Sequence, residues 1–328
     1  MASPRKLTVL ITGCSPGGMG AALAEVFHAA GHRVYATARN PAKLSPLASQ
    51  GIETLTLDVT STESIASAVS ALTKSLSSSV GGGLDILINN AGGHYTTAIS
   101  DASIDSAKTL FDLNVWAQLA VTQAFLPLLL KSASSFPSSS SSSSSWFCCS
   151  SSGGGGPATP MIVNHTSVGS VSPVPFQSLY SASKAAFARL SDGMRLELAP
   201  FGIRIVELKT AMVQSNFIRN SNTNNVEGKE AVRDGRLPEG SLYEPARGII
   251  EKAMSQEQFD GRGTTAERWA KEVVGDLLKR NPPPVVWRGD TAWVARLASL
   301  LPHGVFDGLL MRMLNLDAMG EIIRESRK

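Results

Sequence analysis

Tyr180 and Lys184, in the run Tyr180-Ser181-Ala182-Ser183-Lys184, are four residues apart and so fall on one helical face, a turn from each other. A phenol titrates near pH ~10 and is a poor proton donor at neutrality. An ammonium beside it stabilises the phenolate and draws its pKa toward the range an acid–base catalyst uses. Ser167 lies thirteen residues earlier, just past a strand, where a hydroxyl can hold a substrate oxygen.

A second group of residues suits phosphate. Thr12-Gly13-Cys14-Ser15-Pro16-Gly17-Gly18-Met19-Gly20 stands between an apolar strand and a helix. Glycines there allow a tight turn and let the backbone approach a pyrophosphate at the helix N-terminus, where free N–H groups attract anions. Gly13, Gly18, Met19 and Gly20 are the candidate contacts. The next strand ends Tyr35-Ala36-Thr37-Ala38-Arg39-Asn40, with no acidic residue between Arg33 and Leu44. A site for NAD offers an acid there to the ribose 2′-hydroxyl. Arg39, with Lys43, offers a cation for a 2′-phosphate, so the expected cofactor is NADP(H).

These residues need a scaffold, and the hydrophobic pattern supplies one. Strands are expected at Leu7 to Thr12, Arg33 to Thr37, Ile52 to Leu57, Leu84 to Ile88, Met161 to Asn164 and Arg204 to Leu208, with a seventh at Val285-Val286-Trp287. Helices fall between them, through Ala21 to Phe27, Ile65 to Leu72, Leu110 to Leu130 and Leu179 to Leu198. Thr60-Ser61-Thr62-Glu63 matches a capping box, with Thr60 as the cap. Alternation of this kind implies right-handed crossovers and an α/β fold: a Rossmann-type doubly wound parallel sheet with helices on both faces. From Ser132 to Pro157 the chain is mostly serine and glycine, too poor in apolar surface to offset its ordering entropy; the expectation is a disordered insertion at 132–157.

Composition narrows the setting. The 328 residues carry 30 basic and 27 acidic side chains, a net charge of +3 without a dense basic cluster, which argues against nucleic acid. Three cysteines, two of them adjacent, make no disulfide framework, and a reducing, cytoplasmic compartment is expected. Neither they nor the histidines have metal-ligand spacing. Leu113 to Leu130 is the most apolar uncharged run, but Asn114, Gln118, Thr122, Gln123 and Pro127 interrupt it, and it is rejected as a membrane span. Trp293, Val294, Leu297, Leu300, Leu301, Val305, Phe306, Leu309, Leu310 and Met313 repeat at helical spacing, broken at Pro302. Three roles stay open for them: covering a pocket, packing in a dimer, or lying on a membrane surface with Arg296 and Arg312 at the headgroups.

Taken together, the glycine turn, Asn89-Asn90-Ala91-Gly92, Asn114, Ser167 and Tyr180/Lys184 occur in the order that marks the short-chain dehydrogenase/reductase family, and the chain resembles it from about Leu7 to Ser215. The resemblance implies an enzyme in which Tyr180 protonates a carbonyl oxygen as hydride arrives from the nicotinamide. Lys184 would bind the nicotinamide ribose and lower the Tyr180 pKa, and Ser167 would orient the carbonyl. Asn114 would hold a water linking Lys184 to solvent. Asp58 resembles the adenine contact, Asn90 would line the adenosine ribose, and Val213 and Ser215 resemble the segment closing over the nicotinamide. It further implies a single domain over 1–328, with a substrate lid and C-terminal helical extension in 209–328, and a homo-oligomer. Thr210-Ala211 stands where the family usually has Pro-Gly, and the turn after Gly13 is one residue longer than the commonest spacing.

Ala36-Thr37-Ala38-Arg39, Tyr180 to Ala186 and the tail from Val286 to Asp317 are similar to fungal NADPH-dependent 1-acyldihydroxyacetone-phosphate reductases and to related reductases of secondary metabolism. The expected function is therefore NADPH-dependent reduction of a small-molecule ketone or aldehyde. Reduction of an acyl-dihydroxyacetone phosphate, with contact to a lipid surface, is the first alternative, and alcohol oxidation a second. A catalytically silent NADP-binding sensor is the rival of another class, but such a protein is expected to have lost Tyr180 or Lys184.

Overall fold

The computed structural model describes residues 5–77, 82–135, 157–217, 236–255, 261–302, 304–305 and 307–328. Its strands, in chain order, are β1 (Thr8–Ile11), β2 (Arg33–Ala38), β3 (Glu53–Thr56), β4 (Ile86–Asn89), β5 (Met161–Ser167), β6 (Arg204–Thr210), β7 (Val213–Gln214), β8 (Thr264–Thr265) and β9 (Val285–Arg288). The helices that matter here are α1 (Met19–Ala29), α2 (Ser45–Ala48), α3 (Thr62–Leu76), α4 (Ile104–Phe111), α5 (Ala117–Ala133), α6 (Ser178–Leu198), α7 (Arg247–Ser255), α8 (Ala266–Leu277), α9 (Ala292–Ala298), α10 (Asp307–Met313) and α11 (Leu316–Ser326).

All four residues of β1 are buried, as a strand covered on both faces requires. It pairs in parallel with β2 on one side and β4 on the other, and the seven-stranded sheet reads β3-β2-β1-β4-β5-β6-β9. Chain direction across the sheet reverses between β1 and β4, so a crevice opens at their carboxyl ends, the place where such sheets bind ligands. One apolar layer sets α1 and α8 against the sheet, with Phe27 and Trp269 fully buried. The opposite layer sets α3, α5 and α6 against it through Leu72, Phe125 and Met194.

Several elements differ from expectation. β5 runs three residues further, to Ser167, because β6 pairs with it in register from Met161↔Arg204 to Ser167↔Thr210. Ser167 is therefore the last residue of the strand and not a loop residue. Ser61, not Thr60, caps α3: its hydroxyl accepts from the Ser64 N–H, while the Thr60 hydroxyl donates to Asp58. The long helix begins at Ile104 and includes a π-turn, Asp112–Trp116, between α4 and α5. Residues Ile104–Ala133 are long and apolar enough by composition to cross a membrane, but half of the most apolar window is buried within the fold. Pro127 sits inside α5 without ending it.

Of the serine-rich segment, 136–156 lies outside the described residues. Ser132 belongs to α5, is buried, and donates to Asp85 Oδ1 at 2.5 Å. In the C-terminal region, Trp293, Leu297, Leu300, Leu301, Val305 and Leu309 are all exposed, so these side chains fill no core within one chain.

Candidate active site

The carboxyl ends of the sheet strands line a cleft of about 690 Å³, which receives Gly13, Asn90, Ser167, Tyr180, Lys184 and Thr210 among others. Its phosphate end is built by backbone. Gly13 has φ +75, and a Cβ there would stand 2.8 Å from the Ala91 Cα, so only glycine fits. The first turn of α1 has no side-chain cap and no acidic residue, which leaves its N–H groups to an anion. Gly18 and Met19 line the cleft. Gly20 does not; it lets α1 close onto the turn, where a Cβ would meet Asn90 Nδ2 at 2.5 Å and the Gly13 oxygen at 2.7 Å.

At the far end, Arg39 follows β2 and lines the cleft, exposed. Lys43 lies on the 3-10 turn Pro41–Leu44 outside the lining. Asp58 is also set back: its carboxylate accepts from the Thr60 N–H and hydroxyl at 2.9 and 2.7 Å, and Leu57 and Val59 form the wall. Asn90 lines the cleft, but its side chain is already bonded. Its amide nitrogen donates to the Thr12 and Gly13 oxygens at 2.7 and 3.2 Å, and its Oδ1 lies 2.9 Å from His165 Nδ1. That amide orientation makes His165 Nδ1 the donor, so Nε2 accepts from the Thr210 hydroxyl at 2.7 Å. Burial, with a smaller contribution from the Lys184 charge, pushes His165 down to about 3 and keeps it neutral.

The proton-handling residues converge beside this network. Lys184 is buried, and its Nζ donates to the His165 carbonyl at 3.0 Å. Burial pushes its pKa down from 10.5 to about 8. Lys184 Nζ stands 5.9 Å from the centre of the Tyr180 ring. Tyr180 is pushed up to about 12 by burial, against an opposing hydrogen bond with Ser167. Burial sets this direction, and Tyr180 stays protonated at neutrality. The π-turn aims Asn114 inward, where Oδ1 accepts from the Gly93 N–H at 2.8 Å and Nδ2 donates to the Gly93 oxygen and Ser183. A Cβ on Gly92 would stand 3.2 Å from Asn114 Oδ1 and 3.4 Å from Lys184 Nζ, so glycine lets the loop lie close against both.

The wall opposite the phosphate turn was missed in the sequence. His94 packs on Tyr180 with ring centres 4.7 Å apart, and Phe217 lies 6.1 and 6.3 Å from these two rings. His94 is held by Gln177 and Thr96 and is pushed down to about 4, mainly by burial, so it is uncharged at neutrality. His94 and Gln177 had a signal: His94 directly follows Asn89-Asn90-Ala91-Gly92-Gly93, and Gln177 lies three residues before Tyr180; Phe217 had none.

Val213 and Ser215 reach the cleft on the strap that follows β6. Ala211 bonds the Arg288 oxygen through its N–H at 2.9 Å, which fixes the backbone at the Thr210-Ala211 substitution. Among the described residues, the lining contains no carboxylate, and its ammonium and guanidinium groups are Arg39, Lys184 and Arg262. An uncapped helix end, a glycine turn and a lining of this charge fit a nicotinamide dinucleotide. Asn220 to Asn225, assigned to a lid, lie outside the described residues, and no metal-binding group of three ligands occurs among the described ones.

Comparison with known proteins gives a consistent result. A family model described as short chain dehydrogenase matches residues 7–136 and 156–226. A short-chain dehydrogenase/reductase from Pestalotiopsis microspora is 44% identical, covering 97% of this chain and 98% of its own. A short-chain dehydrogenase from Talaromyces islandicus is 35% identical over 95% and 97% of the two chains. An NADPH-dependent 1-acyldihydroxyacetone phosphate reductase from Schizosaccharomyces pombe is 30% identical over 91% and 90%. Among solved structures, a short-chain dehydrogenase from Streptomyces avermitilis superposes with TM-score 0.67 at 24% identity, covering 97% of this chain and 98% of that one, which shows the shared fold.

Proposed function

The chain belongs to the short-chain dehydrogenase family, and from that membership we propose that it is an NADPH-dependent carbonyl reductase converting a ketone or aldehyde to an alcohol. The observation that carries the proposal is the convergence of Tyr180, Ser167 and Lys184 on the lining of one cleft, with Asn114 buried behind Gly92. When bound, a nicotinamide nucleotide supplies hydride to the carbonyl carbon; the chain must do the rest.

The Ser167 hydroxyl donates to the carbonyl oxygen and fixes it beside the phenol. Tyr180, kept protonated by burial, transfers its proton to that oxygen as negative charge develops, and the product is the alcohol. Lys184 faces the phenolate left behind and stabilises it. Asn114, behind Gly92, would hold a water beside Lys184, a route by which the proton is restored. Arg39 favours a 2′-phosphate, which supports NADPH over NADH and reduction over oxidation.

His94, Phe217 and Gln177 give the substrate side an aromatic, uncharged wall, which favours a neutral carbonyl compound. We place the enzyme in secondary metabolism, a setting supported by its similarity to fungal short-chain dehydrogenases, and, from its cysteine usage alone, in the cytoplasm. The 30% identity to the fission-yeast reductase keeps an acyl-dihydroxyacetone phosphate as the second substrate reading.

The test is NADPH oxidation by purified enzyme on aromatic and polyketide-like ketones and on the acylated phosphate. Tyr180→Phe is expected to lower kcat by about 10²–10⁴ while NADPH still binds. NADPH binding without turnover of any carbonyl would instead indicate a silent nucleotide sensor.

A further inference from the structure

Among the described residues three cationic side chains line the cleft, and two are assigned: Arg39 at the 2′-phosphate end and Lys184 at the nicotinamide end. The third, Arg262, comes from sequence far beyond the family motifs. It sits on a bracket fixed to the strap after β6. Gln214 Nε2 donates to the carbonyls on both sides of it, Gly261 at 2.8 Å and Gly263 at 3.0 Å. β7 and β8 pair immediately afterwards, Val213↔Thr264 and Gln214↔Thr265. Gly263, at φ +96, has no room for a Cβ, which would stand 2.8 Å from the Met212 oxygen. The same strap is tied to the glycine turn: the Asn216 N–H donates to the Gly17 oxygen at 2.9 Å, and its side chain to the Pro16 oxygen at 3.4 Å.

Arg262 thus lines the same cleft as Gly17, Gly18 and Met19, on a strap tied to that turn. It is exposed and makes no ion pair among the described residues, and no carboxylate among the described lining residues competes for it. A dinucleotide lying between Arg39 and Lys184 passes its two backbone phosphates along this stretch. The glycine turn has no cation of its own; Thr12 to Gly20 contains neither lysine nor arginine.

We propose that Arg262 is a cofactor-binding residue that engages the diphosphate, so that the β7–β8 strap closes over the nucleotide with its own charge. The proposal rests on the nicotinamide-dinucleotide reading. It separates two jobs: Arg39 selects the phosphorylated ribose, whereas Arg262 holds what NADPH and NADH share.

The test is direct titration of NADPH and NADH, by nucleotide fluorescence, into wild type, Arg262→Ala, Arg262→Lys and Arg39→Ala, with thermal unfolding as a check that each variant is folded. Arg262→Ala is expected to weaken both nucleotides by the same factor, on the order of ten-fold, as loss of a charge-assisted hydrogen bond implies. Arg262→Lys should recover part of that loss, and Arg39→Ala should weaken NADPH alone. Unchanged binding of both nucleotides by Arg262→Ala would refute the proposal. A loss confined to NADPH would also overturn it, by moving Arg262 to the 2′-phosphate. Failure of wild type to bind either nucleotide would overturn the dinucleotide reading itself, a result distinct from both.

Discussion

At the scale of single residues, the acid and its cation titrate in opposite directions for one reason, burial. Tyr180 is pushed up and Lys184 down, so at neutrality the phenol holds its proton and the amine its charge. As pH rises through about 8, Lys184 is the group that changes, losing the charge that faces the phenol. Reduction is therefore expected to show kcat/KM falling above about pH 8, with the Tyr180 proton retained throughout. Lys184→Arg, whose guanidinium does not titrate in this range, should remove that alkaline limb even where activity is low; pH–rate profiles of the two proteins read this directly. Such behaviour was only half legible in the sequence. The four-residue spacing located Tyr180 and Lys184, but the sign of the phenol's shift depends on how much protein surrounds it. Asp58 and Lys43 stand back from the cleft wall for a similar reason: a local turn engages Asp58 Oδ1, and the 3-10 turn carries Lys43 outside the lining.

At the scale of elements, β6 carries a buried ion pair on its way into the site. Lys209 Nζ lies 2.5 Å from Glu207 Oε1, with the Thr166 hydroxyl donating to the same oxygen and Lys209 also donating to Ser170. The pair links β5, β6 and the turn after Ser167. Removing one partner leaves a buried charge unpaired, so Lys209→Met is expected to destabilise the fold by about 3–5 kcal/mol. Glu207→Gln combined with Lys209→Met should recover much of the loss; urea unfolding of both variants measures it. Period and β-branched content revealed these strands, and the parallel, doubly wound architecture followed from their alternation with helices; the order of the strands came only from the structure. Pairing register did not follow, which is why the three extra residues of β5 were missed. The π-turn was equally hidden, because a single inserted residue in a helix leaves composition untouched. Arg262 gave no signal at all: a two-strand bracket, Gln214 to Gly261 and Gly263, brings it to the cleft.

At the scale of the whole molecule, the C-terminal region presents Trp293, Leu297, Leu300 and Leu301 outward on and just after α9, a face that would be buried in most soluble folds. α9 packs on β9 and reaches the turn Val168–Ser170 beside Ser167, so whatever covers this face also borders the active site. Self-association is the expected outcome: wild type should sediment as more than a monomer, and Leu297→Glu/Leu300→Glu should dissociate it. A monomeric wild type that floats with anionic vesicles would transfer the surface to a membrane. The sheet itself has a consequence in time. Its central pairing joins Val9 to Ile86, residues 77 positions apart, and the nucleotide crevice is the gap where those two strands part. Closing so long a loop precedes any reward from the contacts it makes, which places folding among the slower, topology-limited class. During synthesis the glycine turn therefore leaves the ribosome well before its floor exists, and the nascent chain has no dinucleotide site until β4 has found β1.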